Sequence, residues 1–219
     1  MVRIGLLTIG QSPRPDITRE LPESIKGVVQ VVEMGALDDL SPKEIRRLYP
    51  SAGETLYVSR LVDGRQVALS KERLVPLLQD RIRRLEGVGV QAIVLLCSGE
   101  FDVRSNTMLI LPYRILKAAI EAVKPRRLGV LIPEEEQIKY AREKWSECTN
   151  EIVVANHSPY IDPAQDLYSK SEQFRGCTMV LMDCMGYTEE HRRIVRRQTG
   201  LPVLSTRSAT FSFLESLYR

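Results

Sequence analysis

The sequence predicts an α/β protein built as two pseudo-symmetric, Rossmann-like halves with parallel sheets, the first interrupted by a β-hairpin. Three observations predict it. Short apolar runs alternate with helical patterns almost from end to end, which implies strand–helix–strand crossovers and parallel sheets. Two of the runs close alike: Ala92-Ile93-Val94-Leu95-Leu96-Cys97-Ser98-Gly99 and Met179-Val180-Leu181-Met182-Asp183-Cys184-Met185-Gly186. Asp63-Gly64, set between two strand-like stretches, breaks the alternation with a hairpin signal.

Taken in order, Arg3 to Ile9 reads as a buried strand stopped by Gly10 and by Pro13 and Pro15. Val28 to Met34 is a second, rich in β-branched residues. Ser41-Pro42-Lys43-Glu44 is a capping box with proline at the first helical position, so a helix runs towards Tyr49. Leu56 to Leu69 forms the hairpin, an insertion that could cover a cleft, join subunits into a homodimer, or extend the sheet edge. Ser70 caps a helix with Leu74, Leu78, Ile82 and Leu85 on one stripe. The Cys97 strand follows, then a polar loop from Gly99 to Thr107 and a helix from Pro112 through Val123.

After the linker-like Lys124-Pro125-Arg126-Arg127 a second series starts with a strand over Leu128 to Ile132. Pro133-Glu134-Glu135-Glu136 opens a helix with acids in its first turn. A strand over Glu151 to Ala155, a helix start at Asp162-Pro163-Ala164-Gln165 and the Cys184 strand come next. Thr188-Glu189-Glu190 opens a helix whose Arg192, Arg193, Arg196 and Arg197 read as a solvated face. A short strand over Pro202 to Ser205 and a helix over Ala209 to Leu217 close the chain. The predicted halves are residues 1–123 with 205–219, carrying the hairpin at 56–69, and residues 124–204.

Composition narrows the function classes. The 219 residues are 43% apolar and 27% charged, with a net charge of +3, so no general affinity for nucleic acid is implied. No apolar stretch approaches the roughly 20 residues of a membrane helix, no secretory leader is apparent, and the expected location is the cytoplasm. The four cysteines lack paired C-x-x-C spacing, and with only two histidines no metal site is expected. Neither a dinucleotide fingerprint nor a P-loop occurs, and no cofactor is expected.

The candidate chemistry lies at strand ends, where open α/β sheets bind ligands. A lone buried cysteine usually packs as a small hydrophobe. Its repetition at equivalent places in two series argues for Cys97 and Cys184 as catalytic thiols. Thiolate formation there would be helped by helix-start amides. The backbone N–H groups of Ser98, Gly99, Met185 and Gly186 could hold a substrate carboxylate or an enolate oxygen. Asp183 should face the other side of its strand and serve structure. Thr8, Gly10, Gln11, Ser12 and Arg14 in the first loop suit a small anionic metabolite, with Arg14 able to grip a carboxylate bidentately. The same loop can equally be a proline-stiffened turn. His191 could donate a proton or simply be half-buried in its helix, and Cys148 and Cys177 read as core or surface thiols.

Leu7-Thr8-Ile9-Gly10 with Pro13, Ser51-Ala52-Gly53-Glu54, Val94-Leu95-Leu96 and Met182-Asp183-Cys184-Met185-Gly186-Tyr187 with His191-Arg192 together resemble the AroM family. The layout is also similar to the aspartate/glutamate/hydantoin racemase superfamily. That resemblance implies two half-domains with one acid/base cysteine from each, acting without a cofactor. Cys97 and Cys184 would then be the pair, and Cys184-Met185-Gly186 is close to the Cys-Ala-Gly of hydantoin racemases. Where the amino-acid racemases carry Asn-Thr and Thr-His after their cysteines, this chain has Ser98-Gly99 and Met185-Gly186, which leaves the substrate open. The implied activity is isomerisation or racemisation of a small carboxylate. The alternative is a non-catalytic protein that binds an anionic metabolite.

Overall fold

In the computed structural model, which describes residues 1–219, the first apolar run forms β1 (Val2–Thr8), its last five residues buried. Two single-turn helices follow, α1 (Pro15–Thr18) and α2 (Glu23–Lys26), and then β2 (Val29–Gly35) pairs parallel to β1 along its whole length. The capping box forms as expected: Ser41 Oγ accepts from the Glu44 N–H while the Glu44 carboxylate accepts from the Ser41 N–H. The helix it starts, α3 (Pro42–Arg46), stops well before Tyr49.

The hairpin is real and forms its own two-stranded antiparallel sheet from β3 (Leu56–Arg60) and β4 (Gln66–Ser70). Gly64 closes its turn with φ of +90° and donates to the Leu61 carbonyl, a conformation that only glycine adopts cheaply. Ser70 then caps α4 (Lys71–Gly87), whose Leu74, Leu78, Ile82 and Leu85 are fully buried. Each such side chain contributes about 1.5–3 kcal/mol through burial. β5 (Ala92–Leu95) and β6 (Met108–Ile110) complete a parallel sheet in the order β2-β1-β5-β6. The sequence reading missed β6, because three residues, with Met108 half exposed, show no usable period.

The second series runs α5 (Pro112–Val123), β7 (Leu128–Ile132), α6 (Ile138–Trp145), β8 (Ile152–Asn156), α7 (Leu167–Lys170), β9 (Met179–Met182), α8 (Glu189–Thr199), β10 (Val203–Ser205) and α9 (Thr206–Tyr218). Its four strands are parallel, in the order β8-β7-β9-β10. Numbered within each series, both sheets read 2-1-3-4, with the hairpin inserted after the second strand of the first. Strand β7 shows why these strands carry no polar side: Leu128, Val130 and Ile132 pack with Trp145 on one face, and Leu131 packs with Phe174 and Val195 on the other.

The chain divides into two units, Met1–Pro112 with Phe211–Arg219, and Tyr113–Thr210. Helix α5, assigned to the first half from sequence, falls in the second unit because Leu116 and Ile120 pack with Val130, Ile132 and Trp145. The helix expected from Asp162 also differs. Helical structure does begin at Ala164, as a 3-10 turn over Ala164–Asp166 that leads into α7, but Asp162 accepts from the Ser158 N–H at 2.7 Å and braces the preceding turn rather than capping the helix. No helix is long and apolar enough to cross a membrane.

Candidate active site: two thiol turns

The third strand of each unit hands over to its turn by the same hydrogen bond. The Leu96 N–H donates to the Leu7 carbonyl at 2.7 Å, and the Asp183 N–H donates to the Leu131 carbonyl at 2.8 Å. Cys97 and Cys184 are the next residues, so they occupy equivalent positions beside the junction of strands one and three. From that junction the chain departs to opposite sides of the sheet, which is where ligands settle in such folds.

Each turn then folds back on its own sulfur. The Gly99 N–H donates to Cys97 Sγ at 3.3 Å, and the Gly186 N–H donates to Cys184 Sγ at 3.4 Å. An N–H aimed at sulfur favours thiolate over thiol. Both cysteines are 9% exposed and so shielded from bulk water. The two glycine amides, expected to meet substrate, are thus directed at the thiols, while Ser98 and Met185 supply the middle amide of each turn.

Sequence reasoning missed why the third residue must be glycine. A Cβ on Gly99 would lie 2.6 Å from Tyr57 Cζ and 2.8 Å from its Oη. A Cβ on Gly186 would lie 2.6 Å from both Tyr160 Cζ and Pro159 Cγ. A tyrosine therefore covers each turn, one from β3 of the hairpin and one from the loop after β8. Tyr57 Oη accepts from the Glu100 N–H at 3.2 Å, and its ring packs on Phe101 with centroids 5.2 Å apart. Tyr160 Oη lies 3.9 Å from Cys184 Sγ. Residue spacing predicts the face on which a side chain lies, but not which loop will cover which turn, so neither tyrosine stood out.

The Cys184 turn is also held from behind. Arg207, buried in the first turn of α9, donates through Nε and Nη2 to the Met185 carbonyl at 3.0 and 2.8 Å, and through Nη2 to that of Gly186 at 3.1 Å. Asp183 faces away from the thiol, as its strand position requires. Its carboxylate takes both oxygens to Lys144 Nζ, at 3.0 and 2.9 Å, and accepts from Trp145 Nε1 at 2.8 Å. His191 completes the cap of α8: its Nδ1 accepts from the Thr188 N–H at 3.0 Å. Burial, with the charges of His157 and Arg207 nearby, lowers its pKa to about 4, so the ring is neutral near pH 7 and serves the helix start. Burial likewise pushes the Tyr187 phenol, which donates to the His157 carbonyl at 2.7 Å, well up.

The first loop is occupied with its own architecture. Thr8 Oγ1 accepts from the Gly10 N–H at 3.2 Å and from Arg14 Nη1 at 3.1 Å. The Ser12 N–H and hydroxyl both donate to Asp38 at 2.7 Å. Gln11 donates from its backbone to the Arg60 carbonyl and accepts from the Val62 N–H at 3.0 Å. A Cβ on Gly10 would collide with the Arg60 carbonyl and Ser59 Oγ. The loop is the socket in which the hairpin sits. Arg14, expected to grip a substrate carboxylate, instead holds Asp16 bidentately at 2.9 and 2.7 Å. An arginine only 2% exposed needs a counter-charge, and the chain supplies one two residues on.

A groove of about 650 Å³ lies beside the hairpin, lined by Gln11, Ile45, Tyr49 and Val67 among others, and none of the Cys97 turn residues reaches it. Cys148 and Cys177 have thiols pushed up by burial, and no three potential ligands gather for a metal ion.

Residues 4–217 match the family model described as AroM protein. No curated protein matches the chain. Its fold is similar to allantoin racemase from Klebsiella pneumoniae, at 14% identity and TM-score 0.57, covering 99% of this chain and 87% of that one. It is similar to the liganded Gly74Cys-Cys188Ser mutant of arylmalonate decarboxylase, at 12% identity and TM-score 0.68, covering 100% and 92%. It is similar too to the maleate isomerase Iso from Pseudomonas putida S16, at 16% identity and TM-score 0.57, covering 99% and 92%.

Proposed function

This chain is a member of the AroM family, and on that premise we propose that it is a cofactor-independent isomerase or racemase of a small carboxylate, with Cys97 and Cys184 as its acid/base groups. One observation carries the reading: the same Cys-x-Gly turn, with its glycine N–H on the thiol sulfur, follows the third strand of both units.

The chemistry follows from the groups present. A thiolate takes the proton from the carbon next to the substrate carboxylate, leaving an enolate-like dianion. Backbone N–H groups are suited to stabilise its oxygens. A thiol then returns a proton to the same carbon, and the first sulfur keeps the one it took until solvent exchange resets it. The names of the fold's relatives support this reading, since racemases break and remake such C–H bonds and decarboxylases protonate a carbanion. The alternative of a binding protein that grips an anion through Arg14 draws less support, because Asp16 already occupies that guanidinium.

The test is exchange in D₂O over a panel of α-chiral carboxylates. The expected result is deuterium at the α-carbon, lost in Cys184→Ser and in Cys97→Ser. Exchange that survives both substitutions would refute the thiol chemistry. A ligand that stabilises the protein thermally and is recovered without exchange would instead establish the binding role.

A further inference from the structure

A tyrosine lies over the thiol turn of each unit, and in both it comes from the connection between the second and third strands. Tyr57 belongs to the inserted hairpin, whereas Tyr160 belongs to the loop that follows β8 in the second unit. Two differently built forms of that connection thus deliver the same side chain to the same place, with the Cζ atom 2.6 Å from the position of a glycine Cβ in both. The recurrence of one geometry along two different chain paths points to a role for the phenol itself.

At Cys184 that role can be read from the distances. Tyr160 Oη lies 3.9 Å from Sγ, and the Gly186 N–H reaches the same sulfur at 3.4 Å. The loop that carries the tyrosine is braced: the Tyr160 N–H donates to Ser158 Oγ at 3.2 Å, and the Ser158 N–H donates to Asp162 at 2.7 Å. Its ring rests on Gly186, so the phenol cannot approach unless the turn keeps its shape.

We propose that Tyr160 is a positioning residue for Cys184: its hydroxyl donates a hydrogen bond to the sulfur in the thiolate state, while its ring holds the Cys184-Met185-Gly186 turn closed. The phenol keeps its proton throughout, and the sulfur gains a donor beside the Gly186 amide. Tyr57 supplies the ring contact at Gly99, with its oxygen fixed by the Glu100 N–H. The proposal deepens the acid/base reading of Cys184 and rests on it for its functional meaning.

The experiment follows iodoacetamide alkylation of Cys184 against pH, resolved by peptide mass spectrometry on the full-length protein. Tyr160→Phe keeps the ring and removes the hydroxyl. It is expected to raise the midpoint of Cys184 alkylation by about half a pH unit or more, as loss of a donor to a thiolate requires. Tyr168→Phe, on the exposed face of α7, is the control and leaves the midpoint in place. Gly186→Ala, which drives the ring off the turn, should shift the midpoint in the same direction as Tyr160→Phe. An unchanged midpoint in Tyr160→Phe, or an equal shift in Tyr168→Phe, overturns the proposal. Because alkylation needs no turnover, it is decided separately from the D₂O exchange, whose failure would remove the isomerase reading alone.

Discussion

Replacing Asp183 by leucine should destabilise the second unit more than any surface change can, and the structure sets the size of the effect. The carboxylate holds Lys144 Nζ with both oxygens and accepts from the Trp145 indole, and the two charged side chains are only 5% and 2% exposed. Solvent screening therefore gives little relief, and a buried pair broken from one side costs about 3–5 kcal/mol. For a chain of this length that lowers the midpoint of thermal unfolding by about 6–20 °C. The double substitution Asp183→Leu with Lys144→Met removes both charges and should return most of the loss, because the desolvation of the orphaned ammonium disappears with it. Calorimetry and urea titration of the native chain and the two variants measure both quantities. A single substitution costing under about 1 kcal/mol, as at exposed pairs, would refute the argument. So would a double variant no more stable than the single.

Two further outcomes follow from the site. Gly186→Ala places a methyl carbon 2.6 Å from Tyr160 Cζ, so overpacking should cost about 1–3 kcal/mol, and Tyr160→Ala in the same chain should relieve it; chemical denaturation of the double-mutant cycle reads the coupling. His191, held neutral with a pKa near 4 against an ordinary value of 6.5, takes up its proton on unfolding. Its share of stability is therefore complete above about pH 6.5 and is lost as pH falls towards 4, by about 3 kcal/mol in all. The difference in stability between the native chain and His191→Gln, which keeps an acceptor for the cap, should shrink across that window, and a difference independent of pH would contradict the assignment.

The parts of the molecule that depend on local pattern were legible in the sequence. The Ser41 and Ser70 caps, the Asp63-Gly64 hairpin and the strands ending at Cys97 and Cys184 all declare themselves through spacing and residue type, and the structure contains each. What escaped is what depends on contacts between distant segments. Arg14 reads as an anion grip until Asp16 is seen folded against it with Thr8 and Ser59 alongside. Tyr57 and Tyr160 look like ordinary strand and loop aromatics until they are found over the two glycines. Arg207 sits in a closing helix that gave no sign of supporting a turn 22 residues earlier. Helix α5 was placed on the wrong side of a boundary because its amphipathic stripe does not say which sheet it will cover.

The hairpin socket has a consequence for how such a protein can diverge. Gly10 and Gln11 fix the hairpin to the first strand, and the hairpin brings Tyr57 to the Cys97 turn, whereas the second unit completes the Cys184 turn with its own short loop. The surroundings of one thiol are therefore written in a hairpin that enlarges the second-to-third connection and tolerates change in length and composition, and those of the other in the short form of the same connection. Descendants of one ancestral sheet can then re-specify the first thiol by exchanging a detachable segment while the second stays constrained. Within the family, variation should concentrate on residues 56–70, and the stretch from His157 to Asp162 should change slowly.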